Sequence, residues 1–123
     1  MALTKTNTTD FDTLIVASSE TVATTVHADL LADNTGTVHA INFTNTTGGA
    51  SNVYLKFFDA QSVTLGTDNP IFSYRMKAAE TTHIFSRTGI TLSTALSINV
   101  NGNPASGHSG SAVSAVSYSI MGS

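Results

Sequence analysis

Apolar and polar residues alternate over residues 89–102 of this chain. Ile90, Leu92, Leu96, Ile98 and Val100 share one parity, so a strand over this segment has one apolar and one polar face. Burying five such side chains contributes roughly 1.5–3 kcal/mol each, and a strand buries them only against a second sheet or a helix. No segment has the pattern of a long amphipathic helix. The alternation therefore predicts an all-β fold of two layers, with residues 89–102 as one continuous strand.

Further strand signals recur at about ten-residue spacing, with turn signals between them. They lie at residues 13–17, 20–27, 37–44, 52–59, 71–76, 81–86 and 112–121. About eight short strands predict an antiparallel β-sandwich of the jelly-roll type. Residues 29–33 are long enough for a single helical turn only.

The length of 123 residues fits one domain. We expect a polar N-terminal arm over residues 1–11 and a single β-sandwich domain over residues 12–123. The N-terminus lacks an apolar core segment, and no run approaches the ~18 apolar residues of a membrane span. We therefore expect neither a signal peptide nor a membrane-spanning helix.

Charged residues make up only 11% of the chain, against about 25% in a typical soluble protein. Hydroxyl side chains replace them, with 20 Thr and 15 Ser. Two interpretations stay open: a β-rich composition alone, or a weakly charged surface suited to contact with other proteins. The net charge is −3 and the five Lys and Arg are dispersed, so we do not expect nucleic-acid binding. The chain has no Cys, which excludes disulfides and Cys-based zinc sites.

Histidines and carboxylates offer few candidates for chemistry. His27 and Asp29 are two residues apart, and His39 and His83 are further possible ligands, but a transition-metal site needs three or four converging ligands. Residues 107–111 depart from the G-x-S-x-G nucleophile motif because Ser111 replaces the last Gly and a strand follows. Most carboxylates lie in predicted turns. We expect no metal, no cofactor and no enzymatic activity.

Aromatic residues offer a candidate interface. If Val53, Leu55 and Phe57 face the core, Tyr54 and Phe58 face away from it, and one face of the next strand accompanies them. Exposed together they would form an apolar patch of the kind that soluble monomers avoid. The alternative is that loops of the same chain cover them. The candidate interface residues are Tyr54, Phe58, Phe72, Tyr74 and Met76.

Three segments resemble a module of tailed-bacteriophage virion proteins. They are NVYLKFFDA at residues 52–60, LGTDNPIF at 65–72 and GITLSTALSINV at 89–100. In that module a YLKLYD-like strand, a GTD-x-P turn and a G-ϕ-x-F-S-T-G-L-S-ϕ-x-V strand occur in the same order. The resemblance covers roughly residues 38–121. It departs at Leu92 and Ala95, and residues 104–109 replace an acidic stretch that usually precedes the last strand.

The resemblance implies a small β-sandwich with a structural role in virions, most similar to capsid decoration or cement proteins. Its implied partners are further copies of itself, as a homotrimer, and the major capsid protein. It implies a location on the capsid exterior after synthesis in the host cytoplasm. We expect the arm to reach onto the shell or a neighbouring subunit. The alternatives are a receptor- or glycan-binding module that uses the loop at residues 101–111, or another neck or tail structural protein.

Overall fold

The computed structural model describes residues 2–6, 13–20, 26–27, 36–45, 53–77, 79–102 and 116–122. These segments contain nine β-strands and no helix, and hence no helix that could span a membrane. The strands are β1 (Ala2–Thr6), β2 (Thr13–Glu20), β3 (Val26–His27), β4 (Gly36–Asn45), β5 (Val53–Asp59), β6 (Phe72–Met76), β7 (Thr81–Leu92), β8 (Leu96–Asn101) and β9 (Val116–Gly122).

The strands form two antiparallel sheets that pack face to face. One sheet has five strands in the order β1-β2-β9-β4-β7, and the other has four in the order β3-β8-β5-β6. Strands β2 to β9 thus have the order of an eight-stranded jelly roll, with β1 added at the edge of β2. The predicted all-β, jelly-roll-like sandwich is confirmed.

Alternate residues of both sheets point inward and form one hydrophobic core. The rings of Phe43 and Tyr118 stack within it, with their centroids 6.1 Å apart. The ring centroids of Phe57 and Phe72 are 5.3 Å apart. The other fully buried core residues include Ile15, Ile41, Leu55, Ile98, Val100 and Ile120. The central position predicted for residues 52–59 is also confirmed, because β5 lies between β8 and β6.

The prediction of one continuous strand over residues 89–102 is wrong. Strand β7 ends at Leu92 and β8 begins at Leu96, and the two strands belong to different sheets. The carboxylate of Asp59 binds the backbone between them, which fixes a turn there. Leu92 and Leu96 are both buried, so the alternation continues across the turn although the strand does not. Residues 81–86 and 89–92, predicted as parts of separate strands, are joined in β7.

Several other boundaries differ from the sequence prediction or cannot be compared with it. Residues 2–6 of the predicted arm form β1, because they pair antiparallel with β2 and Leu3 packs against the core. Strand β9 covers residues 116–122, and residues 112–115 of the strand predicted there lie outside the described residues. The arm boundary at residues 11 and 12, the helical turn at 29–33 and the loop from residue 103 to 111 lie outside the described residues.

Candidate functional site

The outer face of the five-stranded sheet carries an apolar row across four strands. Strand register places Leu14 of β2 beside Met121 of β9, Met121 beside Ala40 of β4, and Ala40 beside Phe85 of β7. The first three are half-buried, whereas Phe85 is 71% exposed. The apolar row therefore ends in an aromatic ring that is open to solvent at the edge of the sheet.

A second row crosses the same strands, two residues away from the first row along each strand. Val16 pairs with Ser119, Ser119 with Asn42, and Asn42 with His83. Asn42 Nδ2 donates to Ser119 Oγ at 3.2 Å, and His83 Nδ1 donates to Asn42 Oδ1. The side chains of β7, β4 and β9 are thereby linked in a chain of hydrogen bonds. Val16, at the end of this row, is 38% exposed.

Hydroxyl groups form a third row. Ser117 of β9 pairs with Thr44 of β4, which pairs with Thr81 of β7, and Thr81 Oγ1 donates to Thr44 Oγ1 at 3.3 Å. Together with Val16 and Ala17, residues of this row and of the second one line a shallow groove of about 230 Å³. None of the residues in the three rows is Asp, Glu, Lys or Arg. We call these three rows the contact face.

The outer face of the four-stranded sheet differs because most of its side chains on β5 and β8 are buried. Lys56 and Phe58 of β5 point outward from that sheet but are 0% and 1% exposed. The outward residues of β8, which are Ser97, Asn99 and Asn101, are also fully buried. This burial lowers the pKa of the Lys56 ammonium, because desolvation disfavours its charged form. Among the described residues of this face, only Ser73 and Arg75 of β6 are exposed, whereas the exposed apolar side chains of Phe85 and Val16 lie on the outer face of the five-stranded sheet.

The predicted interface residues lie apart in this arrangement. Phe58 faces outward but is covered, and Met76 is fully buried because its register with Val53 turns it toward the core. Phe72 and Tyr74 have the same inward direction and are half-buried against the core. Tyr54 alone stays half-exposed on an outer face, beside Arg75. The five residues do not form a common exposed patch, because β6 presents its apolar face to the core.

The exposed residues Phe85 and Val16 were missed by the sequence prediction. Ile84 and Phe85 are adjacent apolar residues in one strand, so one of them had to face outward. The pattern contains that signal, but it does not show which of the two faces solvent. Val16 lay within an apolar run, where alternation is equally ambiguous.

The three described histidines do not converge. His27 lies in the four-stranded sheet, whereas His39 and His83 lie on β4 and β7 of the other sheet. His39 Nδ1 donates to the backbone oxygen of Ser86 at 3.1 Å, so it has a structural partner. Within the described segments, no group of three His, Asp or Glu side chains is placed to hold a metal ion. Asp29 and His108 lie outside those segments.

Comparisons of the chain with protein-family models, with curated proteins and with solved structures find no match. The contact face and the jelly-roll fold are therefore the structural observations that bear on function.

Proposed function

We propose that this protein is a non-enzymatic virion structural protein, a capsid decoration or cement protein that binds major capsid subunits through the contact face. The observation that carries the proposal is the contact face, whose three rows contain no Asp, Glu, Lys or Arg and leave Phe85 and Val16 open to solvent. The resemblance of residues 38–121 to a phage virion module supports the same assignment.

The chemistry of the contact face suits a broad protein contact. A standard interface buries about 800 Å² on each partner, and its centre is poor in charged residues and rich in aromatic ones. Because the contact face carries hydroxyl, amide and apolar groups, docking desolvates no carboxylate, ammonium or guanidinium group from its three rows. Phe85 supplies an exposed aromatic anchor of the kind that dominates binding energy.

The fold supports the proposal at the level of analogy only. Jelly rolls occur in viral capsid proteins and in lectins, so the topology by itself does not select between these roles. In the proposed role, copies of the chain associate as a homotrimer on the capsid exterior, after synthesis in the host cytoplasm. They stabilise the junctions between major capsid subunits by bridging them.

Binding to particles assembled without this protein tests the proposal. Phe85→Ser removes the aromatic anchor, and we expect it to weaken binding at least tenfold, or by about 1.4 kcal/mol. Ile71→Ser is the matched control, because Ile71 is 50% exposed but lies just before β6, in the other sheet. Both substitutions are expected to change the free energy of unfolding by less than about 0.5 kcal/mol. Unchanged particle binding by the Phe85→Ser variant would contradict the proposal.

A specific observation favours glycan binding as a second candidate function. Asn42, Ser119 and His83 present amide, hydroxyl and imidazole groups beside the exposed ring of Phe85. Such polar groups bind sugar hydroxyls, and an aromatic ring packs against the apolar face of a sugar. Binding of the isolated chain to a glycan array, lost on Asn42→Ala and without binding to capsid particles, would select this function instead.

A further inference from the structure

A cleft opens between the two sheets where their edge strands β6 and β7 lie opposite each other. Its volume is about 210 Å³. Val38 and Ile41 of β4, each only 2% exposed, form its floor. The half-buried walls and rim are formed by Phe72, Ile84, Ile90, His39 and Ser86. The cleft thus has an apolar interior with a small polar rim.

An irregularity in β7 shapes this cleft. Val38 pairs with Ile90 and Ala40 with Phe85, so residues 86–89 lie opposite the single residue His39. Ser86 Oγ accepts a hydrogen bond from Gly89 N at 3.0 Å, and His39 donates to Ser86 O. Gly89 has a φ of 73°, in the left-handed region that favours glycine. These contacts hold the bulge, and with it the rim of the cleft, in a defined conformation.

Strand β7 is an edge strand, and the bulge at residues 86–89 divides it into a regular stretch over residues 81–85 and a shorter one over residues 90–92. It has twelve residues and pairs only with β4 in the described part of the chain. An edge strand presents a row of backbone N–H and C=O groups that can pair with an added strand. Outward side chains along it, from Thr81 through His83 to Arg87, are exposed, so this side of the sandwich is accessible.

We propose that β7 and the cleft together bind an extended segment of a partner protein by β-strand addition, with one apolar side chain of that segment in the cleft. Alternate residues of an added strand point to the inner side of the sheet, directly over the cleft. A comparable apolar cavity of about 150 Å³ holds benzene, so about 210 Å³ accommodates a leucine or phenylalanine side chain.

A peptide fits these features better than a small apolar molecule does. A small molecule would fill the cleft but leave the backbone groups of the β7 edge without a protein partner, whereas an extended segment satisfies both. No Asp, Glu, Lys or Arg lines the cleft, so the segment carries an uncharged residue at that position. This inference is independent of the capsid proposal, because it uses the inner side and edge of β7 rather than the contact face.

An NMR titration with a synthetic peptide tests the inference. The probe is a blocked heptapeptide of alternating threonine and valine with leucine at the centre, and the control peptide has proline in place of that leucine. We expect saturable shifts of the β7 amides and of the Ile84 and Ile90 methyl groups at submillimolar probe. The control peptide should bind at least tenfold more weakly, because proline lacks the backbone N–H donor and replaces the leucine side chain with a shorter ring that is tied to the backbone.

A change of specificity provides the second arm. Ile90→Ala enlarges the cleft, so this variant should favour a peptide with a central phenylalanine. We expect the ratio of its affinities for the phenylalanine and leucine peptides to be at least threefold higher than in the unmodified protein. Thr4→Ala, on β1 at the opposite edge of the same sheet, should leave peptide binding unchanged. Absence of saturable shifts at millimolar peptide, or shifts confined to the contact face, would overturn the inference. Benzene binding in the cleft without peptide binding would also overturn it and assign the cleft to small apolar molecules.

Discussion

Asp59 connects the two sheets at the level of a single side chain. Its Oδ2 accepts hydrogen bonds from Ser93 N at 3.0 Å and Ser93 Oγ at 2.8 Å. Its Oδ1 accepts from Thr94 N at 2.7 Å and Ala95 N at 3.1 Å. Partial burial raises the pKa of Asp59, but these hydrogen bonds outweigh that effect and lower the pKa to about 2. The charged carboxylate therefore stabilises the turn by which the chain passes from one sheet to the other.

Substitution of this carboxylate should destabilise the fold. Asp59→Asn keeps one acceptor oxygen but loses the charge, and we expect a loss of about 1–2 kcal/mol at neutral pH, measured by urea denaturation. Asp68→Asn is the matched control, because among the described residues the Asp68 carboxylate accepts one hydrogen bond, from Thr64 N, within an exposed turn. An equal loss in the two variants would contradict the role assigned to Asp59.

The same carboxylate predicts a pH dependence. Because folding lowers the pKa of Asp59 from 3.8 to about 2, its contribution is fully present above pH 3.8. This contribution is lost as the pH falls through about 2. Denaturation measured between pH 5 and pH 2 should therefore show a smaller loss of stability in Asp59→Asn than in the unmodified protein. Parallel pH profiles would contradict the assignment.

Gly89 combines a left-handed backbone with a close approach. A Cβ at this position would overlap Thr37 Cγ2 and lie 2.8 Å from Val38 O. Gly89→Ala should therefore cost about 2–3 kcal/mol, because it adds a clash to the backbone strain. Gly66→Ala is the control, since Gly66 has a φ of 90° but no atom within 4 Å of the added Cβ. If thermal denaturation shows equal losses of stability in the two variants, backbone strain accounts for the whole effect and the clash at Gly89 contributes nothing.

At the scale of elements, alternation predicted strand faces better than strand partners. The segments proposed over 37–44, 52–59 and 71–76 correspond closely to β4, β5 and β6. The break after Leu92 was not predictable from alternation, because Leu92 and Leu96 are four residues apart and therefore keep the same parity. Both face the core, one from each sheet. A period of two thus describes two successive strands as well as it describes one long strand.

Strand β1 gives a prediction at this scale. It pairs only with β2 in the described segments, and its Leu3 packs on the core at the edge of the sandwich. Deletion of residues 1–6 should cost about 2–3 kcal/mol through lost burial and pairing, while the eight-stranded jelly roll stays folded. Circular dichroism and urea denaturation measure both effects. Complete unfolding, or unchanged stability, would contradict this view of β1 as a peripheral strand.

At the scale of the whole molecule, the outward side chains of β8 and most of those of β5 are buried, whereas Phe85 and Val16 on the outer face of the other sheet are exposed. Strand periodicity assigned Tyr54 and Phe58 correctly to the side of β5 that faces away from the core. It could not show that Phe58 is buried on that side, because alternation gives the direction of a side chain and not its burial. The exposure of Phe85 depends on the three-dimensional arrangement. The sequence therefore indicated the fold class, whereas the position of the candidate site emerged only from the structure.

Electron cryomicroscopy, at subunit resolution, of the particle that the proposed function assigns to this protein tests the central claim most directly. The proposed function predicts jelly-roll density on the capsid exterior, with the contact face and Phe85 packed against major capsid subunits. Density for this chain only at the neck or tail, or a contact face turned to solvent on the shell, would contradict it.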